Sequence, residues 1–474
     1  MESRVRTETQ IAIIGAGPAG LAAADLLAEA GCEVTLLDEQ PAAGGQIYRG
    51  IASANAERLR VLGTDYAAGR KLLGVLDRPG VTFIGGATVW EVTRERRISY
   101  SVGGTARSLA ARRVIACTGA TERPMPFPGW TLPGVMTVGA GQILLKTSGL
   151  LPPAPLVLAG SGPLLYLLAA QYLAAGQAIS AIVETTPGGN WRNALRHLPG
   201  ALIGNRYLRK GLMLLARIRR AGVAHYRGAT GLRAEGTSRV EALTFTVRGR
   251  TRRLPCATLL IHTGVMPNLQ ITRSLNLVHD WDALQQCWRP QLDDWGGTGI
   301  DGIHVAGDGG GIAGAEAAVH SGRLAAIGCL AALELIGPED RERRTAAERR
   351  ALRAQNRARP FLDALYTPAP EFLDPPDETI VCRCEEVTAG KIREFVDLGC
   401  LGPNQAKSFG RPGMGPCQGR YCGITVSAII AARRRVSIDE VGYYRIRPPL
   451  KPITLGELAA MDVLDESDGD DPDA

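Results

Sequence analysis

Four of the chain's ten cysteines are spaced like ligands. Cys382, Cys384, Cys417 and Cys422 form a C-x-C-x32-C-x4-C pattern. Four thiolates match a [2Fe–2S] core, which takes two per iron. Gly410, Gly413, Gly415, Gly419 and Gly423 surround the second pair. They let the backbone approach a cluster and bring N–H groups to its sulfides. A helix expected to begin near Cys422 would aim its N-terminus at the anionic cluster. Structural zinc is the competing reading, although its sites favour spacings of two to four residues on both sides, and C-x-C suits a tetrahedral knuckle poorly. Cys400 has no neighbouring donors and is a spare. Cys32, Cys117, Cys256, Cys287 and Cys329 read as buried, inert thiols. No C-x-x-C or C-x4-C pair precedes residue 382, so the relay of a disulfide reductase is absent.

A second set of residues points to nucleotide chemistry. The apolar run at 11–14 ends in Gly15-Ala16-Gly17-Pro18-Ala19-Gly20, followed by an Ala- and Leu-rich helical stretch. Gly15 permits a tight turn, Gly17 admits a pyrophosphate and Gly20 allows close helix–strand contact. The helix N-terminus then faces the phosphate. Asp38, with Glu39 beside it, ends the next strand, where a carboxylate accepts ribose hydroxyls. Gly45, Gln46, Thr118 and Gly119 are further candidates for the same site. Downstream, a strand at 303–308 ends in Gly307-Asp308, the second half expected of an FAD site, in which Asp308 bonds a ribityl hydroxyl.

The motif recurs in degraded form. Residues 156–159 lead into Gly160-Ser161-Gly162-Pro163-Leu164-Leu165, with Glu184 at the ribose position. Leu165 replaces the third glycine and pushes helix from strand, so NAD(P) binding is disfavoured and a shape-keeping or partner-facing domain is preferred.

These motifs need a particular set of elements. Strand, glycine turn, helix and strand in repeated order predict an α/β chain with two Rossmann-like, glutathione-reductase-type units and a small helical C-terminal [2Fe–2S] domain. The expected boundaries are a discontinuous FAD-binding domain at 1–150 and 259–335, and a degraded second unit at 151–258. A helical linker at 336–376 leads to the cysteine module at 377–437. An extended strap and acidic tail follow at 438–474.

Composition narrows the function classes. Hydrophobic residues make up 45% and charged residues 21%, as in a soluble globular chain. The net charge of +7 comes from arginines spread along the chain rather than clustered beside aromatics, which argues against nucleic acid. Six carboxylates and no base in Asp465–Ala474 describe a solvated tail. No secretory leader and no apolar stretch of about 18 residues is expected, so the reading is cytoplasmic. Residues 202–220 are apolar and basic at helical spacing. A solvated surface helix is the preferred reading there, with contact to anionic lipid or a partner as the alternative. The six histidines are scattered, and no catalytic residue is assigned.

Residues 10–335 resemble the two-dinucleotide-binding-domain flavoproteins of the glutathione-reductase-like superfamily. The resemblance rests on the first glycine motif, Cys117-Thr118-Gly119-Ala120, Thr263-Gly264 with Pro267-Asn268, and Gly307-Asp308, and it implies FAD. Val381–Glu386 and Gly413–Cys422 resemble the bacterioferritin-associated-ferredoxin-like [2Fe–2S] domain. With the stretch Thr118–Val135, nearly the whole chain resembles the α subunits of heteromeric bacterial amine- and opine-oxidising flavoenzymes. That resemblance implies a partner β subunit of D-amino-acid-oxidase type that oxidises the C–N bond. It leaves open a small ferredoxin-like subunit, an FMN at a subunit interface and peripheral association with the membrane respiratory chain. A self-sufficient NAD(P)H-dependent flavoprotein reductase is the rival reading.

Overall fold

The computed structural model describes residues 7–459; the acidic tail read at Asp465–Ala474 lies outside them. The apolar run after Glu8 forms the strand Glu8–Ile14, buried on both faces between helices, as parallel strands of layered α/β folds are. It pairs in parallel with Val34–Asp38 on one side and Thr105–Ala116 on the other. Val81–Gly85 extends the first edge, and Ile303–Val305 joins Thr105–Ala116. An antiparallel meander, Thr88–Val92 and Arg97–Val102, completes seven strands. The helix Pro18–Glu29 starts with Pro in its first turn, where the missing N–H is no loss. Its Ala- and Leu-rich surface buries against the helix Ala315–Ala332, so small residues serve on nearly every side.

A second, wholly parallel sheet has five strands in the order Ala224–Arg227, Ala181–Glu184, Leu156–Ser161, Thr258–Thr263, Val135–Thr137. It moves two expected boundaries. Thr258–Thr263 pairs along its whole length with Leu156–Ser161 and so belongs to the second unit rather than to an FAD domain resuming at 259. Val135–Thr137 adds to the same sheet, and its helix Val138–Ser148 buries Val138 and Leu145 in that unit's core, so the first domain ends before 150. A three-stranded antiparallel sheet, Thr230–Glu235, Ala242–Val247 and Arg250–Pro255, packs Leu243 and Phe245 against this unit.

The linker forms the helices Pro338–Asn356 and Arg359–Leu365. The cysteine module wraps the helices Ala389–Asp397, Pro403–Gly410 and Gly423–Arg434 around a short strand pair, Ile380–Cys382 with Val387–Thr388. Its core continues beyond the expected limit at 437, because Tyr444, Ile446 and Leu450 are buried with Cys382, Cys422 and Ile429. The stretch read as a strap therefore belongs to the module through Leu450. Among the described residues, no helix is long and apolar enough to cross a membrane.

Candidate functional site

The first glycine turn is built as its spacing requires. Gly15 has φ +107°, and a Cβ there would lie 2.3 Å from the Cys117 carbonyl oxygen. A Cβ on Gly20 would lie 1.9 Å from the Gly15 carbonyl oxygen, so only glycine lets this helix sit on its strand. Pro18 and Ala19 open the helix. Asp38 accepts from the Ala16 N–H at 2.6 Å and the Gln40 N–H at 2.8 Å, tying the glycine turn to the next strand. Burial pushes its carboxyl up, against those two N–H bonds and Arg49. Glu39, beside Asp38, pairs with Lys451 Nζ of the C-terminal segment at 2.8 Å. Gly45 packs against the Gly17 backbone. Asp308 accepts from the N–H groups of Ala313 and Gly314, both at 2.9 Å, and so shapes the turn before the helix Ala315–Ala332.

Two cations that sequence reasoning missed stand at this turn. Arg49 Nε donates to the Gly45 carbonyl at 3.4 Å, and Lys146 Nζ donates to the Gln46 carbonyl at 3.1 Å. Lys146 is buried, and among the described residues no carboxylate ion pair holds it. Burial, then Arg49, push its amine down to about 7. A buried cation without a counter-charge beside a pyrophosphate-type turn fits a diphosphate ligand. Its only sequence signal is a lone Lys within the apolar helix Val138–Ser148.

The second glycine turn is filled by the chain itself. The His262 ring lies where a Cβ on Gly162 would meet it at 3.2 Å. His262 Nδ1 pairs with Glu122 Oε1 at 2.5 Å, and Glu122 Oε2 accepts from the Gly139 N–H at 2.7 Å. Leu165 is fully buried in the unit's core. Glu184, at the position matching Asp38, is engaged by His225 Nε2 at 3.0 Å. Burial would raise its carboxyl, but bonds from His225 and Tyr166 hold it below its usual value. The linker crosses this edge. Asn190 Nδ2 donates to the carbonyls of Leu365 and Thr367, and Tyr366 lies beside Glu184, where burial and that carboxylate push its phenol up to about 12.

The four cysteines converge as two pairs. Cys382 ends its strand and is in hydrogen-bond reach of Cys422, the N-cap of the helix Gly423–Arg434. Cys384, in the turn after it, is in reach of Cys417. Among the described residues, no three His, Cys, Asp or Glu side chains group as around a single metal ion. Cys382 is held down at about 6, first by the Cys422 thiol and then by N–H groups that include Gly413, against the effect of burial. The Gly413 N–H lies 3.5 Å from Cys382 Sγ. A Cβ on Gly415 would lie 2.2 Å from Cys384 Cβ, so this loop closes over the thiols only as glycine. Cys400 is buried apart from the pairs, its thiol donating to the Gly402 carbonyl.

The two sites meet at one seam. Thr118 Oγ1 donates to the Asn268 carbonyl at 3.1 Å, and the Asn268 N–H donates to the Gly119 carbonyl at 3.0 Å. A Cβ on Gly309, beside Asp308, would lie 3.1 Å from Thr118 Oγ1. Two residues beyond Asn268, Gln270 Nε2 donates to the carbonyl of Gln418, next to Cys417, at 3.4 Å. Thr118 and Gly119 thus link the first nucleotide unit to the thiol loop.

Comparison with known proteins agrees with this architecture. Residues 9–322 match the pyridine nucleotide-disulphide oxidoreductase family, and residues 377–462 match the sarcosine oxidase A3 domain. The chain is 45% identical over 451 residues to the A subunit of opine oxidase from Rhizobium meliloti (strain 1021), covering 95% of this chain and 98% of that protein. It is 30% identical to the HcnB subunit of hydrogen cyanide synthase from Pseudomonas protegens, covering 95% of this chain and 97% of that protein. The crystal structure of L-proline dehydrogenase from P. horikoshii has the same fold, with a TM-score of 0.70 at 19% identity over 97% of this chain and 81% of that one.

Proposed function

The chain belongs to the family of opine oxidase A subunits, flavoprotein subunits of heteromeric oxidoreductases, and from that premise we propose that it carries FAD and a [2Fe–2S] cluster and conducts electrons between them. On this reading a partner β subunit of D-amino-acid-oxidase type oxidises the C–N bond of an amine, opine or amino acid. This chain takes the electrons onward. An FMN at the subunit interface and a small ferredoxin-like subunit belong to the same proposal.

The observation that supports it most is the seam, where a few bonded residues separate the flavin-type turn from the thiol loop. When bound, FAD accepts an electron pair and the cluster carries electrons one at a time. The chain's own residues supply the setting. The Gly15–Gly20 turn and its helix N-terminus receive the diphosphate, with Arg49 and Lys146 as counter-charges. Asp38 and Asp308 hold the two turns in shape through backbone N–H groups. Cys382 and Cys422, with Cys384 and Cys417, would hold the cluster as its four thiolate ligands, and the Gly413 N–H would support Cys382.

The purified chain is expected to show flavin absorbance together with the electron paramagnetic resonance signal of a reduced [2Fe–2S] centre. Extraction should release FAD. A chain that binds neither group on reconstitution would sink the proposal, and a zinc content equal to the protein content would replace the cluster with the zinc reading. The rival NAD(P)H reductase would oxidise NADH unaided. The self-filled second turn, with His262 under Gly162 and Tyr366 beside Glu184, argues for no such activity.

A further inference from the structure

Residues 190–220 contain eight Lys and Arg residues and no Asp or Glu. They form three consecutive helices, Asn190–Leu195, Leu198–Ile203 and Arg206–Arg220. Their inner sides are already packed: Ala194 and Ala201 sit with Phe361 of the linker, and Ile218 lies in the core of the second unit. The outer sides do not match a water-facing surface. Trp191, Leu195, Leu202, Ile203, Leu212 and Met213 are each between 54% and 67% exposed. A solvated helix face carries polar residues there, so this one is built for contact.

The charge pattern decides the kind of contact. Arginines flank the apolar side chains of the first and third helices, with Arg192 and Arg196 around Leu195, and Arg209 and Arg217 around Leu212 and Met213. Arg206 and Lys210 are tied to Asp65 and Glu316, which anchors the last helix to the body of the protein. Arg209, Arg217, Arg219 and Arg220 are exposed and have no ion pair among the described residues. Short amphipathic helices with Trp and Leu set among cations, and no carboxylate, fit an interface of phosphate headgroups over acyl chains. Arginine heads reach phosphate while apolar side chains enter the boundary layer.

We propose that the outer face of the helices spanning residues 190–220 docks on an anionic lipid bilayer, holding the protein at a membrane surface without crossing it. The proposal stands independently of which cofactors the chain carries. Purified holoprotein is to be sedimented with vesicles of phosphatidylcholine alone and of phosphatidylcholine with phosphatidylglycerol, at low and high salt. Binding is expected only to the anionic vesicles. The variant R217Q/R219Q/R220Q should weaken it on the order of a hundredfold. The variant L212S/M213S should weaken it and make the remainder more sensitive to salt. Far-ultraviolet dichroism and flavin absorbance identify variants that fold. No binding to anionic vesicles overturns the proposal, as does binding unchanged in both folded variants. If the variants keep vesicle binding but lose assembly with another protein chain, the face is a protein interface and the proposal also fails.

Discussion

Single side chains give the sharpest tests of the two cofactor sites. Cys417→Ser removes one donor of the more exposed pair, so cluster absorbance and electron delivery should vanish while FAD stays bound; loss of both groups together would make the module structural. Cys400→Ala should leave the cluster spectrum intact, since that thiol lies apart from the pairs. Lys146→Met should weaken FAD binding roughly 10- to 100-fold, the loss of one buried charge-assisted contact, read by fluorescence titration. The same lysine sets a pH dependence. Its amine titrates near 7 in the folded chain and near 10.5 when unfolded. Between those values the unfolded state binds the extra proton, so stability of the FAD-free protein should rise with pH across that window. Bound diphosphate favours the charged amine and should flatten the rise. Thermal unfolding of the two forms against pH reads the difference.

At the scale of elements, the two glycine turns are an internal control for each other. Gly15–Gly20 packs beside the Gly45–Gln46 turn that holds Arg49 and Lys146, whereas Gly160–Leu165 packs against the His262 ring, with the linker beside Glu184. Gly20→Ala should lower stability by about 1–3 kcal/mol and cost FAD affinity, because its Cβ would force the helix off the strand. Denaturant unfolding and flavin retention measure both effects. The isolated wild-type chain should neither bind NADH in equilibrium dialysis nor oxidise it at enzymatic rates. Binding comparable to that of an ordinary nucleotide enzyme would reopen the reductase reading.

For the molecule as a whole, the question is how the cysteine module is held to the flavin-type domain. The Leu450 N–H donates to the Trp90 carbonyl at 2.6 Å, and Arg420 Nη2 donates to the Leu450 carbonyl at 3.3 Å. Leu450 is also buried in the shared core, a contribution of about 2 kcal/mol. The Lys451–Glu39 pair is half exposed and adds little. Truncation after Arg447 should therefore loosen the module while the first nucleotide unit stays folded. Limited proteolysis near residues 367–378 and a more labile cluster signal, with flavin retained, are the expected signs.

Much of this was legible in the chain itself, because turns and ligand spacings are local. The glycine motif, the acid at Asp38 and the cysteine pattern depend on residues close in sequence; Gly307-Asp308, expected to end a strand at 303–308, lies instead in a 3-10 turn after a strand that stops at Val305. Leu165, the departure from the glycine pattern, is read from the sequence and lies buried in the second unit's core. What tertiary structure decided depends on residues far apart. Strand pairing carried Thr258–Thr263 and Val135–Thr137 into the second sheet, which no local signal separates from the first. Glu39 met a lysine more than 400 positions away. Lys146 reached the Gly45–Gln46 turn only when its helix was laid against it. The apolar residues of 190–220 could have faced the core or the outside, since helical spacing reports a face but not its direction. Packing against the linker and the second unit took the opposite side and left that face exposed.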